Sequence, residues 1–232
     1  MNLETWTPFY KINPDDNQLI ETNLVYTPLV SPDGSRFCML FDYKHKYQNE
    51  DLAHWLPARP YYTKEMVEFF FNREVKYLDV FKDKLWAPQN ITVDYTKQTI
   101  EFDWAGETCN QIIYSGRQLE DYCPNWRDQM FNIIEDIVTS GYYKTSLYPH
   151  CYFIDNGILR TFDFYGCVER SAPFVELENI KGMIGETSTS RFLSATFGDY
   201  LNIEILFKEA LKQYIKWPGD PLPELYKRLF DE

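Results

Sequence analysis

Residues 148–166, YPHCYFIDNGILRTFDFYG, gather a carboxylate, an imidazole and a thiol around one predicted hairpin. Residues 151–154 read as a short apolar strand and residues 158–164 as the returning one. Asp155-Asn156-Gly157 is the turn between them, because Asn-Gly accepts the positive φ values of a two-residue hairpin loop. Asp163 is thereby delivered at a strand end, ahead of an aromatic residue and a glycine. A carboxylate in that position can cap backbone N–H groups. His150, with an ordinary pKa near ~6.5, has the chemistry of a general base or of a packed loop histidine. Cys151 is a nucleophile only if a cation lowers its pKa, and is otherwise a buried structural thiol.

The elements that must position these groups follow from patterning. Residues 24–30 and 36–43 are strand candidates joined by the turn Ser31-Pro32-Asp33-Gly34. Met66, Phe69, Phe70, Tyr77, Leu78 and Phe81 recur at mostly helical spacings and predict a helix over 63–84, stopped at Trp86-Ala87-Pro88. Residues 91–94 and 99–104 form a second hairpin, and 106–117 a connector. Trp126, Met130, Ile133, Ile134, Ile137 and Val138 make one apolar face of a helix over 124–140, with Pro124 suited to its first turn and Gly141 at its end. After the hairpin, 167–200 reads as irregular, 203–217 as an amphipathic helix ended by Pro218, and 224–229 as a final turn. Segregated strands and helices indicate an α+β class.

Composition narrows the function classes. The chain has 232 residues, 44% hydrophobic and 18% aromatic, enough for one large domain or two small lobes with a core that needs no disulfides. A net charge of −12 argues against a nucleic-acid-binding surface, which needs clustered Lys and Arg. Cys38, Cys109, Cys123, Cys151 and Cys167 are odd in number and lack Cys-x-x-Cys spacing, so reduced thiols in a cytoplasmic protein are expected. Zinc is not expected, since His45, His54 and His150 are not spaced as ligand pairs with any cysteine. The N-terminal MNLETWTPFYK lacks the basic and apolar regions of a signal peptide, and no apolar stretch approaches the ~20 residues that span a bilayer.

The order of elements and several motifs resemble the protein-kinase-like fold. The helix at 63–84 resembles its αC helix, with Glu74 of Arg73-Glu74 as the candidate for that helix's glutamate. WAPQNITVD and QTIEFDWAGET resemble the strands leading to the hinge. The helix at 124–140 resembles αE, and DFYG at 163–166 resembles Asp-Phe-Gly. The phrase GYYKTSLYPHCYFIDNG also resembles kinase-like proteins of large bacteriophages. The resemblance implies a two-lobed architecture, with an antiparallel-sheet N-lobe over 1–105 and a mainly helical C-lobe over 106–232. It implies ATP and Mg²⁺ as cofactors, Asp163 as metal ligand, and Glu74 with Lys44 or Lys46 as nucleotide-binding residues.

The sequence departs from that pattern where chemistry is concentrated. Aligned by the Asn-Gly turn, Ser146 stands at the catalytic aspartate and Cys151 at the metal-ligating asparagine. A serine hydroxyl is a poor proton acceptor near neutral pH, and a thiol is a poor ligand for hard Mg²⁺. In FCMLF, residues 37–41, the best register puts Leu40 at the phosphate-binding lysine. The glycine-rich loop is absent. The expectation is a pseudokinase that binds or regulates a host or viral protein, located in the cytoplasm (the host's, if phage-encoded). The alternatives are an atypical Mg-ATP-dependent phosphotransferase, assisted by His150, and an unrelated α+β binding protein.

Overall fold

The fold was analysed in a computed structural model, which describes residues 3–9, 11–12, 19–20, 26–42, 64–144, 146–171, 207–208, 211 and 217–230. It is α+β, with an antiparallel sheet and separate helices. The chain forms two compact units, both discontinuous in sequence. One contains residues 1–124 and 149–165, the other 125–148 and 166–232.

The first unit is built on a five-stranded sheet. Its strands are β1 (Thr7–Pro8), β4 (Thr27–Val30), β5 (Arg36–Leu40), β6 (Thr92–Asp94) and β7 (Thr99–Asp103), in the order β1-β4-β5-β7-β6. The short strands β2 (Lys11–Ile12) and β3 (Leu19–Ile20) pair separately. All pairs in the five-stranded sheet are antiparallel. The β4–β5 register, Val30 opposite Phe37, is fixed by the predicted turn. There the Asp33 carboxylate accepts from the Ser31 and Ser35 hydroxyls and the Ser35 amide, and Gly34 supplies φ +74°. Those hydrogen bonds, led by that of Ser31, lower the Asp33 pKa to about 2.

Strand alternation separates two apolar sets on β5. Cys38 and Leu40 join Leu29 in a cluster beneath Leu3 and Trp6. On the opposite face, the Phe37 ring lies 5.5 Å from Phe9, 5.3 Å from Phe102 and 4.7 Å from Trp104. Farther along that face, Phe41 packs edge-on against Phe71 of helix α1 (Lys64–Phe81). Helix α1 buries Val67, Phe70, Phe71, Glu74, Tyr77, Leu78 and Phe81, an apolar stripe with a carboxylate inside it.

Residues 106–117 are not the plain connector expected from sequence. They contain a short helix, α2 (Cys109–Tyr114), capped by Thr108 and Gln111 in a reciprocal capping box. The Thr-x-x-Gln pattern satisfies two backbone donors and lets Cys109 and Ile112 reach the core.

The hairpin β9 (Tyr152–Asp155) and β10 (Ile158–Thr161) also belongs to the first unit. Asn156 and Gly157 have φ of +50° and +80°, as the Asn-Gly turn requires. Phe153 and Phe162 carry the hairpin onto the aromatic face of the sheet, Phe153 lying 4.9 Å from Trp104 and Phe162 lying 5.5 Å from Phe37. Arg160 is buried, pairs with Asp155 at 3.0 Å, and donates to the carbonyls of Leu85 and Ala87 after α1.

In the second unit, helix α3 (Trp126–Thr139) stacks Trp126 on Trp217 at 5.3 Å. The Trp217 indole N–H donates to Leu147 O at 2.8 Å. Strands β8 (Tyr142–Tyr143) and β11 (Val168–Glu169) pair antiparallel. The expected final turn is a full helix, α4 (Leu222–Phe230), and its Arg228 pairs with Glu135 of α3. Of the helix expected over 203–217, Phe207, Lys208 and Leu211 are helical, and most of the rest lies outside the described residues. All five cysteines are buried and none forms a disulfide. Among the described residues, no helix is long and apolar enough to cross a membrane.

Candidate functional site

The end of β10 places Asp163. Phe162 N donates to Cys151 O, and the Thr161 hydroxyl donates to the same carbonyl, so the returning strand is tied to the residue that opens the hairpin. The chain then turns sharply, and Asp163 takes φ +65°, a left-handed conformation that Asp tolerates better than most side chains. Its neighbours fix it from both sides. Phe162 enters the sheet-facing aromatic cluster, while Phe164 packs on Phe81 and Trp86.

The Asp163 carboxylate is 2% exposed, and each oxygen has a partner. Tyr26 donates its hydroxyl to Oδ1 at 2.6 Å, and the Cys151 thiol lies 3.3 Å from Oδ2. A buried carboxylate needs such donors, because an unpaired charge in a low-dielectric interior is costly. Tyr26 is itself fully buried against Phe41. Burial first, and the Asp163 charge second, push the Tyr26 pKa well above its ordinary value, so the phenol holds its proton and remains a donor.

Glu74 does a related task two residues further on. Its Oε2 accepts from the Tyr165 amide at 2.6 Å, while Arg73 Nε donates to the Tyr165 carbonyl at 2.8 Å. Phe70 meets the Tyr165 ring edge-on at 5.6 Å. Consecutive residues of α1 therefore clamp the N–H and the C=O of one residue just after Asp163. Lys44 and Lys46, expected to face Glu74, lie outside the described residues.

His150 sits on a 3-10 turn, Pro149–Cys151, and is half-buried. A ring nitrogen of His150, Cys151 Sγ and an Asp163 oxygen all lie within 4.8 Å of one another. Spacing along the chain argued against a cysteine–histidine site. The hairpin folds the strand-end carboxylate back onto an adjacent His-Cys pair. Tyr26 was not singled out from sequence at all, since its partner lies 137 residues away. Ser146, in the second unit, is half-buried, and Lys144 of the same unit is 1% exposed.

Leu40 does not share a face with Phe37. Alternation sends it to the side covered by Leu3 and Trp6, and Phe37, Met39 and, just past the end of β5, Phe41 lie on the hairpin-facing side. None of those three is basic.

No family model and no curated protein matches the chain. Solved structures of WbdD do. A co-crystal structure of WbdD with the kinase inhibitor LY294002 is 11% identical and covers 94% of this chain and 47% of that one, with a TM-score of 0.44. A high-resolution crystal structure of WbdD is 13% identical over the same shares, also at 0.44. A further structure, described as the bifunctional kinase-methyltransferase WbdD, is 12% identical and covers 88% and 42%, at 0.43. The present chain spans less than half the length of those chains.

The donor set around Asp163 does not suit the Mg²⁺ that the kinase resemblance implies. Mg²⁺ takes near-octahedral oxygen ligands and keeps several waters. Here the groups that converge are one carboxylate with both oxygens engaged, a thiol and an imidazole.

Proposed function

We propose that this chain is a kinase-like protein that acts by binding, as a regulatory or recognition module for a host or viral protein partner, and not by phosphoryl transfer. The observation that carries this reading is the closure of Asp163. Tyr26 and Cys151 engage its two oxygens, and the carboxylate is 2% exposed. A metal-bridged nucleotide held on Oδ2 would have to displace the Cys151 thiol and reach a carboxylate that is 2% exposed. The aromatic packing of Phe37, Phe102, Trp104, Phe153 and Phe162 supports the same reading, because rings fill the contact between sheet and hairpin. Ser146 and Cys151 lack the proton-accepting and metal-ligating groups that phosphoryl transfer uses at those places.

The second reading is an atypical Mg-ATP-dependent phosphotransferase. In it Asp163 holds the metal, Glu74 pairs with Lys44 or Lys46, and His150 assists the acceptor. The proximity of His150 to Asp163 is the observation that favours it. Thermal unfolding with millimolar Mg-ATP separates the two. Binding at concentrations well above Kd would stabilise the fold by ~2–3 kcal/mol. No shift is expected. A shift that disappears in Asp163→Asn would overturn the binding-module reading in favour of the phosphotransferase.

A further inference from the structure

We propose that His150, Cys151 and Asp163 form a binding site for a borderline-soft divalent cation of the Zn²⁺ class. The inference concerns the same residues as the proposed function but does not depend on it, since the cation would bind without nucleotide.

The geometry is the first support. Tetrahedral Zn²⁺ holds sulfur at ~2.3 Å and carboxylate oxygen at ~2.0 Å, which separates the two ligand atoms by about 3.5 Å. Cys151 Sγ and Asp163 Oδ2 are 3.3 Å apart before any cation is added. The third ligand atom, on His150, is within 4.8 Å of both and needs a side-chain movement of at most about 1.5 Å to close a tetrahedral edge. The chemistry is the second support. Thiolate, imidazole and carboxylate together are zinc ligands, whereas Mg²⁺ and Ca²⁺ select oxygen alone.

The surroundings are the third support. Ligating carboxylates are commonly held by a further hydrogen bond that orients them. Tyr26 supplies one, donating to Oδ1 and leaving Oδ2 to face the sulfur. The backbone around Cys151 is equally fixed, since Thr161 and Phe162 both donate to its carbonyl. Cys151 and Asp163 are at least 98% buried, while His150 is half-exposed, so a cation would enter from the histidine side and could keep a water as fourth ligand. On binding, the Cys151 S–H bond breaks, the sulfur–metal bond forms, and the proton passes to solvent. No redox change is involved.

Co²⁺ substitution into the full chain provides the test. Cobalt bound by one thiolate in a tetrahedral site gives a thiolate-to-metal charge-transfer band and intense visible d–d bands. Both are expected in the native protein, and both should be removed by stoichiometric Zn²⁺ but not by millimolar Mg²⁺. Cys151→Ser should abolish the charge-transfer band. His150→Gln, at a half-buried position outside the core, should weaken Zn²⁺ binding by at least tenfold. Tyr26→Phe should weaken it by ~10–100-fold. The proposal is overturned if no charge-transfer band appears, if the band survives in Cys151→Ser, or if His150→Gln leaves Zn²⁺ affinity unchanged. Should Cys151→Ser fail to fold, the affinity of His150→Gln alone decides. Mg-ATP binding is measured separately, so failure of this site and failure of the binding-module reading give different results.

Discussion

Tyr26→Phe removes one oxygen atom and leaves the ring in place against Phe41. In the native fold that oxygen donates to a carboxylate 2% exposed, at 2.6 Å. Hydrogen bonds to charged groups contribute ~1.5–3 kcal/mol, and leaving a buried carboxylate oxygen without its donor puts the loss toward the upper part of that range. We expect a destabilisation of about 2–3 kcal/mol. In urea, with a slope near ~3 kcal/mol per molar for a chain of this size, the midpoint should fall by roughly 0.7–1 M with the slope unchanged. A second measurement reads the same hydroxyl through pH. Burial and Asp163 raise its pKa in the fold, so the folded chain keeps a proton that the unfolded chain loses above the ordinary value near 10.0. Its contribution is complete below pH 10 and declines as pH rises from there toward the folded value, at ~1.4 kcal/mol per pH unit. Tyr26→Phe should remove that share of the alkaline slope. Tyr152, also raised by burial, keeps a share above pH 10, and Cys38 and Cys109, raised by burial from 9.0, add theirs from pH 9. A midpoint shift under about 0.2 M, within the error of the method, or an unchanged slope above pH 10, would refute the account of Asp163 as a carboxylate stabilised by Tyr26.

Two further outcomes are expected. Glu74→Ala should cost ~1.5–3 kcal/mol and reduce hydrogen-exchange protection of the Tyr165 amide, whereas Glu74→Gln, which keeps an acceptor, should lose less than half as much. Undiminished protection in Glu74→Ala would show that the clamp on Tyr165 is not what Glu74 provides. Arg160→Ala should cost about 2–3 kcal/mol in urea unfolding, the pairing with half-buried Asp155 being partly screened, and Arg160→Lys should recover little, because one ammonium cannot serve Asp155 and two carbonyls in the same geometry. Full recovery by lysine would argue that charge alone matters there.

Local chemistry was legible in the sequence where the signal was local. Asn156-Gly157 announced the hairpin, and Ser31-Pro32-Asp33-Gly34 announced the β4–β5 turn, because each needs only a few residues to satisfy its own backbone. The α+β class followed from patterning for the same reason. Thr108 and Gln111 also carried a legible signal, a capping box, but helix α2 is short and its apolar face too small for periodicity to reveal. Glu74 was singled out through the resemblance, and the structure buries it in a stripe with Val67, Phe70, Phe71, Leu78 and Phe81, where a carboxylate needs a partner. The identity of that partner, a backbone amide at Tyr165, depends on a tertiary contact. The Tyr26–Asp163 bond depends on how the hairpin docks, which no local pattern encodes, whereas the approach of His150 and Cys151 to Asp163 follows from the hairpin's own register. Which side Leu40 takes also depends on strand register, because a one-residue slip exchanges the two sides of a strand.

The discontinuity of the first unit has a consequence for biosynthesis. Its sheet is complete by residue 103, but Phe153 and Phe162, which cover Phe37, Phe102 and Trp104, belong to a hairpin that ends the unit at Tyr165. At ~5–20 residues per second, the ribosome takes several seconds to supply the roughly forty residues that follow the first segment of that unit. Throughout that interval the nascent chain carries a water-exposed aromatic wall, a natural docking target for holdase chaperones. A chain stopped at residue 124 should therefore be insoluble when produced alone. Supplying the hairpin as a separate peptide should relieve the aggregation before it restores a stable fold.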